Sequence, residues 1–132
     1  MVILVCEVNC MYLRRKIDDY LKEWKNSEER KPLIIKGARQ IGKTESIRKF
    51  AEENYTSVIE INFVEEPKYR TIIVDGYGAD EIVKSISRID PQKQFIPEET
   101  LIFFDELQEF PEIATSLKFF AQDGRFDIIC SG

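Results

Sequence analysis

Residues 33–44 read Leu-Ile-Ile-Lys-Gly-Ala-Arg-Gln-Ile-Gly-Lys-Thr, and the two halves of this stretch ask for different structures. Leu33 to Lys36 is a short apolar run stopped by a glycine, which favours a buried strand over a helix. Gly37 to Thr44 fits G-x-x-x-x-G-K-[ST] at every position. Beyond it Ile47, Phe50 and Ala51 form an apolar stripe at helical spacing that reaches about Asn54. A strand, a glycine-bounded loop and a helix in this order form a cradle for polyphosphate. Gly37 and Gly42 permit tight turns and a close approach that a Cβ would obstruct. The backbone amides of Ala38, Arg39, Gln40 and Ile41 line the loop, and those of Lys43, Thr44 and Glu45 open the helix with its positive dipole end. Lys43 is expected to reach the β- and γ-phosphates, and the Thr44 hydroxyl to ligate Mg²⁺. The Arg39 and Gln40 side chains are expected to face solvent, with an Arg39 contact to phosphate as the sharper alternative. Ordinary residue frequencies produce the bare pattern by chance in roughly one chain in a few hundred of this length, so its position between strand and helix is what makes it specific.

Outward from this stretch, helices and strands alternate. Leu13, Ile17, Tyr20, Leu21 and Trp24 predict a helix from Met11 to about Asn26–Ser27, closed off by Pro32. Ser57 to Phe63 alternates as a second strand, and residues 65–78 carry no clear period. Asp80 opens a helix bearing Ile82, Val83, Ile86 and Ile89. Leu101 to Phe104 is another buried strand, and a helix from Pro111 carries Ile113, Ala114, Leu117, Phe120 and Ala121 as far as Gly124. Phe126 to Cys130 reads as the last strand. The pattern predicts one α/β domain with a mainly parallel sheet. Residues 1–11 are an N-terminal extension before a core at 12–132; the apolar stretch Val2 to Cys6 is either an extra edge strand or poorly packed.

Composition narrows the chemistry. The 132 residues suffice for one core without staples. Lys and Arg number 19 against 24 for Asp and Glu, a net charge of −5, so the chain does not coat nucleic acid or anionic membrane by charge alone. Nucleic acid stays a minor possibility through the Arg14-Arg15-Lys16 run, and no apolar run is long enough for a membrane span. There is no histidine, which removes His-based triads, His-ligated zinc and imidazole acid–base catalysis. The three cysteines, Cys6, Cys10 and Cys130, have no framework spacing and read as free thiols of a cytoplasmic protein.

Leu101 to Glu106 supplies the second half of a site. In an open α/β sheet, ligands gather at the carboxyl ends of the strands, so this strand can deliver Asp105 and Glu106 to the phosphate loop. Asp105 would hold Mg²⁺ through its water shell, and Glu106 would polarise the water attacking the γ-phosphate. Ser131, after the last strand, either donates toward the γ-phosphate or water, or is a frayed serine. Asn62 and Gln108 are polar neighbours with no spacing to promote them.

The two motifs, Walker A at Gly37–Thr44 and Walker B at Leu101–Glu106, resemble the AAA+ branch of P-loop ATPases. The surrounding words KPLIIKGARQIGKT, EINF, TLIFFDELQEFP and FDIICSG resemble archaeal and bacterial AAA-type ATPases that usually continue into a C-terminal nuclease-like domain. The likeness runs from about Tyr12 to Gly132. It implies a P-loop three-layer sandwich, Lys43 and Thr44 as nucleotide and Mg²⁺ residues, Asp105 as the Walker B aspartate, Glu106 as the catalytic glutamate and Ser131 at the polar sensor position. It also implies that the sensor strand lies between the Walker A and Walker B strands. Against that pattern the chain is expected to be a truncated core lacking the fifth sheet strand and the helical lid, with the Walker A strand at an exposed edge. No arginine finger, which the resemblance implies a neighbouring subunit supplies, is evident, and the expected partner is a second copy through self-association or a missing C-terminal domain. The implied function is ATP binding with Mg²⁺-dependent hydrolysis; the alternatives are a nucleotide-dependent signalling module or an inactive remnant.

Overall fold

The structure is a computed structural model that describes residues 2–6, 10–28, 30–37 and 42–132. Its elements are β1 (Val2–Cys6), α1 (Cys10–Asn26), β2 (Leu33–Gly37), α2 (Lys43–Asn54), β3 (Ser57–Asn62), α3 (Ala79–Ile89), β4 (Thr100–Asp105), α4 (Leu117–Asp123) and β5 (Asp127–Ser131). The five strands form one sheet in the order β1-β2-β5-β4-β3, and every pairing is parallel. Parallel strands need crossovers over a face, and the helices provide them on both sides.

The layers follow from side-chain alternation along the strands. On one face Leu33, Ile35, Leu101, Phe103 and Ile129 pack under Ile17, Leu21 and Trp24 of α1 and Ile47, Phe50 and Ala51 of α2. On the other face Ile34, Ile59, Ile61, Ile102, Phe104, Ile128 and Cys130 meet Ile82 and Ile86 of α3 and Leu117 and Phe120 of α4. Central strands covered on both faces must be apolar at successive positions, which is why β2 and β4 read as unbroken runs. The β3 strand departs from this rule. Its second face carries Val58 and Glu60, and Glu60 takes a two-pronged ion pair from Arg48 of α2 at 2.7 Å.

The expected fold class stands as a P-loop sandwich, with two differences in detail. First, the Walker A strand is not at a free edge: Val2–Cys6 pairs with Leu33–Gly37 in parallel register. Of the two readings of the first residues, the edge strand is the observed one, and it occupies the place where a fifth strand was expected to be lacking. Second, the helix expected from Pro111 begins as a 3-10 turn over Pro111–Ser116 and becomes α-helical only at Leu117. The Ser116 hydroxyl donates to the carbonyl of Ile113 at 2.6 Å, a local bond that supports the tighter turn. In the stretch without a period, Pro67–Thr71 is a 3-10 turn that buries Tyr69. No helix among the described residues is long and apolar enough to cross a membrane.

Candidate functional site at the carboxyl ends of the strands

Parallel strands all end on the same side, and the sheet order sets β5 between β2 and β4. The last residues of β2, β5 and β4 (Gly37, Ser131 and Asp105) therefore line one crevice, with Lys43 and Thr44 opening α2 above it. The expected placement of the sensor strand between the two Walker strands is the placement observed.

Gly42 turns the chain into α2 with φ 72° and ψ 21°, a left-handed conformation that glycine adopts without steric cost. Lys43 follows at the first helical position and is buried, 6% exposed. Its ammonium donates to the carbonyls of Gly37 at 2.8 Å and Gly132 at 3.0 Å. A buried cation beside the N-terminus of a 12-residue helix is a place for an anion. An anionic oxygen would compete strongly with these two neutral carbonyls for the ammonium.

Thr44 Oγ1 donates to Asp105 Oδ2 at 3.4 Å, and the amide of Glu106 donates to Asp105 Oδ1 at 2.9 Å. Burial pushes the Asp105 carboxyl above its ordinary value; the Glu106 amide opposes this, the charges of Glu106 and Glu60 add to it, and the Thr44 hydroxyl opposes it. A carboxylate so placed is stabilised by a cation arriving beside it. The hydroxyl and carboxylate are hard oxygen donors of the type Mg²⁺ takes, and Mg²⁺ keeps several waters, so one or two protein oxygens suffice. The residues present fit the ion.

Ser131 lies in β5 and is fully buried, so the frayed-serine alternative does not hold. Its Oγ is the one buried side-chain nitrogen or oxygen without a hydrogen-bond partner among the described residues. An orphaned hydroxyl facing no partner is costly unless a ligand or water completes it. Glu106 follows Asp105 with φ 58° and ψ 48°, left-handed for a residue with a Cβ, a conformation that costs on the order of 1–3 kcal/mol and clusters at functional sites.

Of the residues expected at the site, the structure brings Gly37, Gly42, Lys43, Thr44, Asp105, Glu106 and Ser131 to this end of the sheet. Glu45 is exposed in the first turn of α2. Ala38, Arg39, Gln40 and Ile41 lie outside the described residues. Two polar neighbours gain roles that spacing did not reveal. Asn62 stands in register with Asp105 and accepts from the amides of Val64 and Glu65 at 2.9 and 3.0 Å, turning the chain away from the crevice. The Gln108 side-chain amide donates to Glu106 Oε2. The signal for Asn62 was a polar residue closing an apolar strand; for Gln108 there was none beyond nearness to Glu106.

Comparisons with known proteins agree with this fold. The chain is similar to the structure of C. elegans PCH-2, with a TM-score of 0.53 at 12% identity over 91% of this chain. It spans 37% of that chain's length, and at this identity the likeness is one of fold. No curated protein matches. The family model described as "AAA domain" matches residues 29–132, from before the Walker A strand to beyond the sensor strand, and the chain belongs to that family.

Proposed function

We propose that the chain binds ATP with Mg²⁺ and hydrolyses it at the γ-phosphate. The observation that carries this reading is the convergence of Lys43, Thr44, Asp105 and the Ser131 hydroxyl, unpartnered among the described residues, at the carboxyl ends of the strands beside a helix N-terminus. Thr44 and Asp105 would hold Mg²⁺, whose chemistry when bound is neutralisation of phosphate charge. Lys43 exchanges its carbonyl acceptors for phosphate oxygens and carries positive charge to where negative charge develops. Ser131 Oγ donates toward the transferred phosphoryl group or the attacking water. Glu106 orients that water and takes its proton, a role a carboxylate fills in the absence of any histidine. Free thiols such as that of Cys130 suit a cytoplasmic protein, and self-association or a further domain would bring the stabilising arginine.

The test is phosphate release by wild type and Glu106→Gln. Turnover is expected to fall about 10²- to 10⁴-fold while ATP affinity is retained. Binding in both proteins with no turnover in either would replace the reading with a nucleotide-dependent signalling module.

A further inference from the structure

A catalytic carboxylate works only if it is held still, and glutamate has three rotatable bonds to restrain. Glu106 has lost the restraint of the strand, because its left-handed backbone breaks the line of β4. The 3-10 turn Leu107–Glu109 that follows is firmly set. The amide of Glu109 donates to the Glu106 carbonyl and that of Phe110 to the Leu107 carbonyl, each at 3.0 Å, and Leu107 and Phe110 are buried in the core. Gln108 rises from this turn, and its side-chain amide reaches back to Glu106 Oε2.

The far end of the same carboxamide lies close to Gly132. A Cβ on Gly132 would lie 2.6 Å from Gln108 Oε1 and 3.1 Å from the Leu107 backbone nitrogen, so a side chain at 132 would push the Gln108 carboxamide out of its present place. Gly132 is itself tied to β2 by its amide, which donates to the Ile35 carbonyl at 3.2 Å, and its carbonyl accepts from Lys43. Lys43 bonds Gly132, Gly132 lies beside Gln108, and Gln108 bonds Glu106, so the four residues are neighbours at this end of the sheet.

We propose that Gln108 is the positioning residue of Glu106: its neutral amide grips the carboxylate from a rigid turn and sets its reach toward the water. The proposal deepens the hydrolytic reading and rests on it. A carboxamide suits the task because it donates without adding charge; an isosteric carboxylate at the same place would repel Glu106.

Two measurements test it. The first needs no turnover: in the nucleotide-free chain the Gln108 side-chain NH₂ resonances, assigned by their loss in Gln108→Ala, are expected to shift in Glu106→Ala while those of the other glutamines stay in place. Unmoved Gln108 resonances overturn the proposal. The second is kinetic. Gln108→Ala is expected to lower kcat about tenfold with KM for ATP and melting temperature unchanged, Gln108→Glu to lower it further, and Gln108→Ala to cost nothing more in a Glu106→Gln background. A wild-type kcat in Gln108→Ala, a loss carried by KM, or a full extra loss on top of Glu106→Gln overturns it. Wild-type turnover in Glu106→Gln would sink the base reading instead, and the resonance shift would still report the contact.

Discussion

The two ends of the sheet treat their polar groups in opposite ways. At the amino end, Asp127 of β5 accepts from Arg30 Nε at 2.9 Å and from the Tyr55 hydroxyl at 2.6 Å, with Lys25 Nζ 3.8 Å away. Burial and the Asp127 bond push the Tyr55 hydroxyl well above its ordinary value, so it stays a donor at all working pH. Thr100 at the start of β4 is likewise closed: its hydroxyl donates to the Ile96 carbonyl at 2.9 Å and accepts from the Ile96 amide at 2.7 Å. At the carboxyl end, among the described residues, Asp105 is buried with no cation at hydrogen-bond distance and Ser131 Oγ has no partner, while Lys43 donates to the carbonyls of Gly37 and Gly132. Among the described residues the amino end pairs its polar groups within the chain, while the carboxyl end keeps a buried carboxylate without a cation and a buried hydroxyl without a partner. A fold holds the second kind of end only because the first end and the two apolar faces supply the stability.

Replacing Asp127 should break this contrast most. In Asp127→Ala the Arg30 guanidinium and Tyr55 hydroxyl lose their acceptor, and the chain should lose about 2 kcal/mol in urea unfolding with nucleotide affinity unchanged at the far end. A loss under half that size would mean the amino end is not the anchor described.

Replacing Asp105 should act in the opposite direction. Its folded value is raised, so its ionised form opposes folding. That penalty is absent in acid, below the unfolded value, and grows as pH rises through the raised folded value. In Mg²⁺-free solution Asp105→Asn should therefore match wild type in acid and melt higher at neutral pH, while losing the Mg²⁺-dependent gain in ATP affinity. A lower melting temperature at neutral pH would show that Asp105 is held by the fold rather than for a ligand.

The smallest effect sharpens the same comparison between two hydroxyls. Ser131→Ala removes a buried hydroxyl that has no partner among the described residues and should not lower stability, with a gain of up to about 1 kcal/mol. Thr100→Val strands the Ile96 backbone groups and should cost about 1 kcal/mol. Equal costs would remove the distinction.

Much of this was legible in the sequence because its signals are local. The runs at Leu33–Lys36 and Leu101–Phe104 announce buried parallel strands, and the glycines at 37 and 42 with Lys43 announce the loop between strand and helix. What stayed hidden depends on partners distant in the chain. Nothing within Val2–Cys6 says that it pairs with Leu33–Gly37; only the register does. Helical spacing from Pro111 to Ala121 did not reveal that the first turns are 3-10, since period alone barely separates three residues per turn from 3.6. Gln108 acquired its role from the backbone reversal at Glu106 and from the closeness of Gly132, both tertiary facts.

The most direct measurement of the central claim is calorimetry of ATP and ADP with Mg²⁺ on wild type and Lys43→Ala. Lys43 is the buried cation that opens α2 at the carboxyl ends of the strands. Micromolar binding by wild type, lost in a folded Lys43→Ala, is the predicted result. No binding by a well-folded wild type, or equal binding by both proteins, would contradict the assignment of this crevice as a phosphate site.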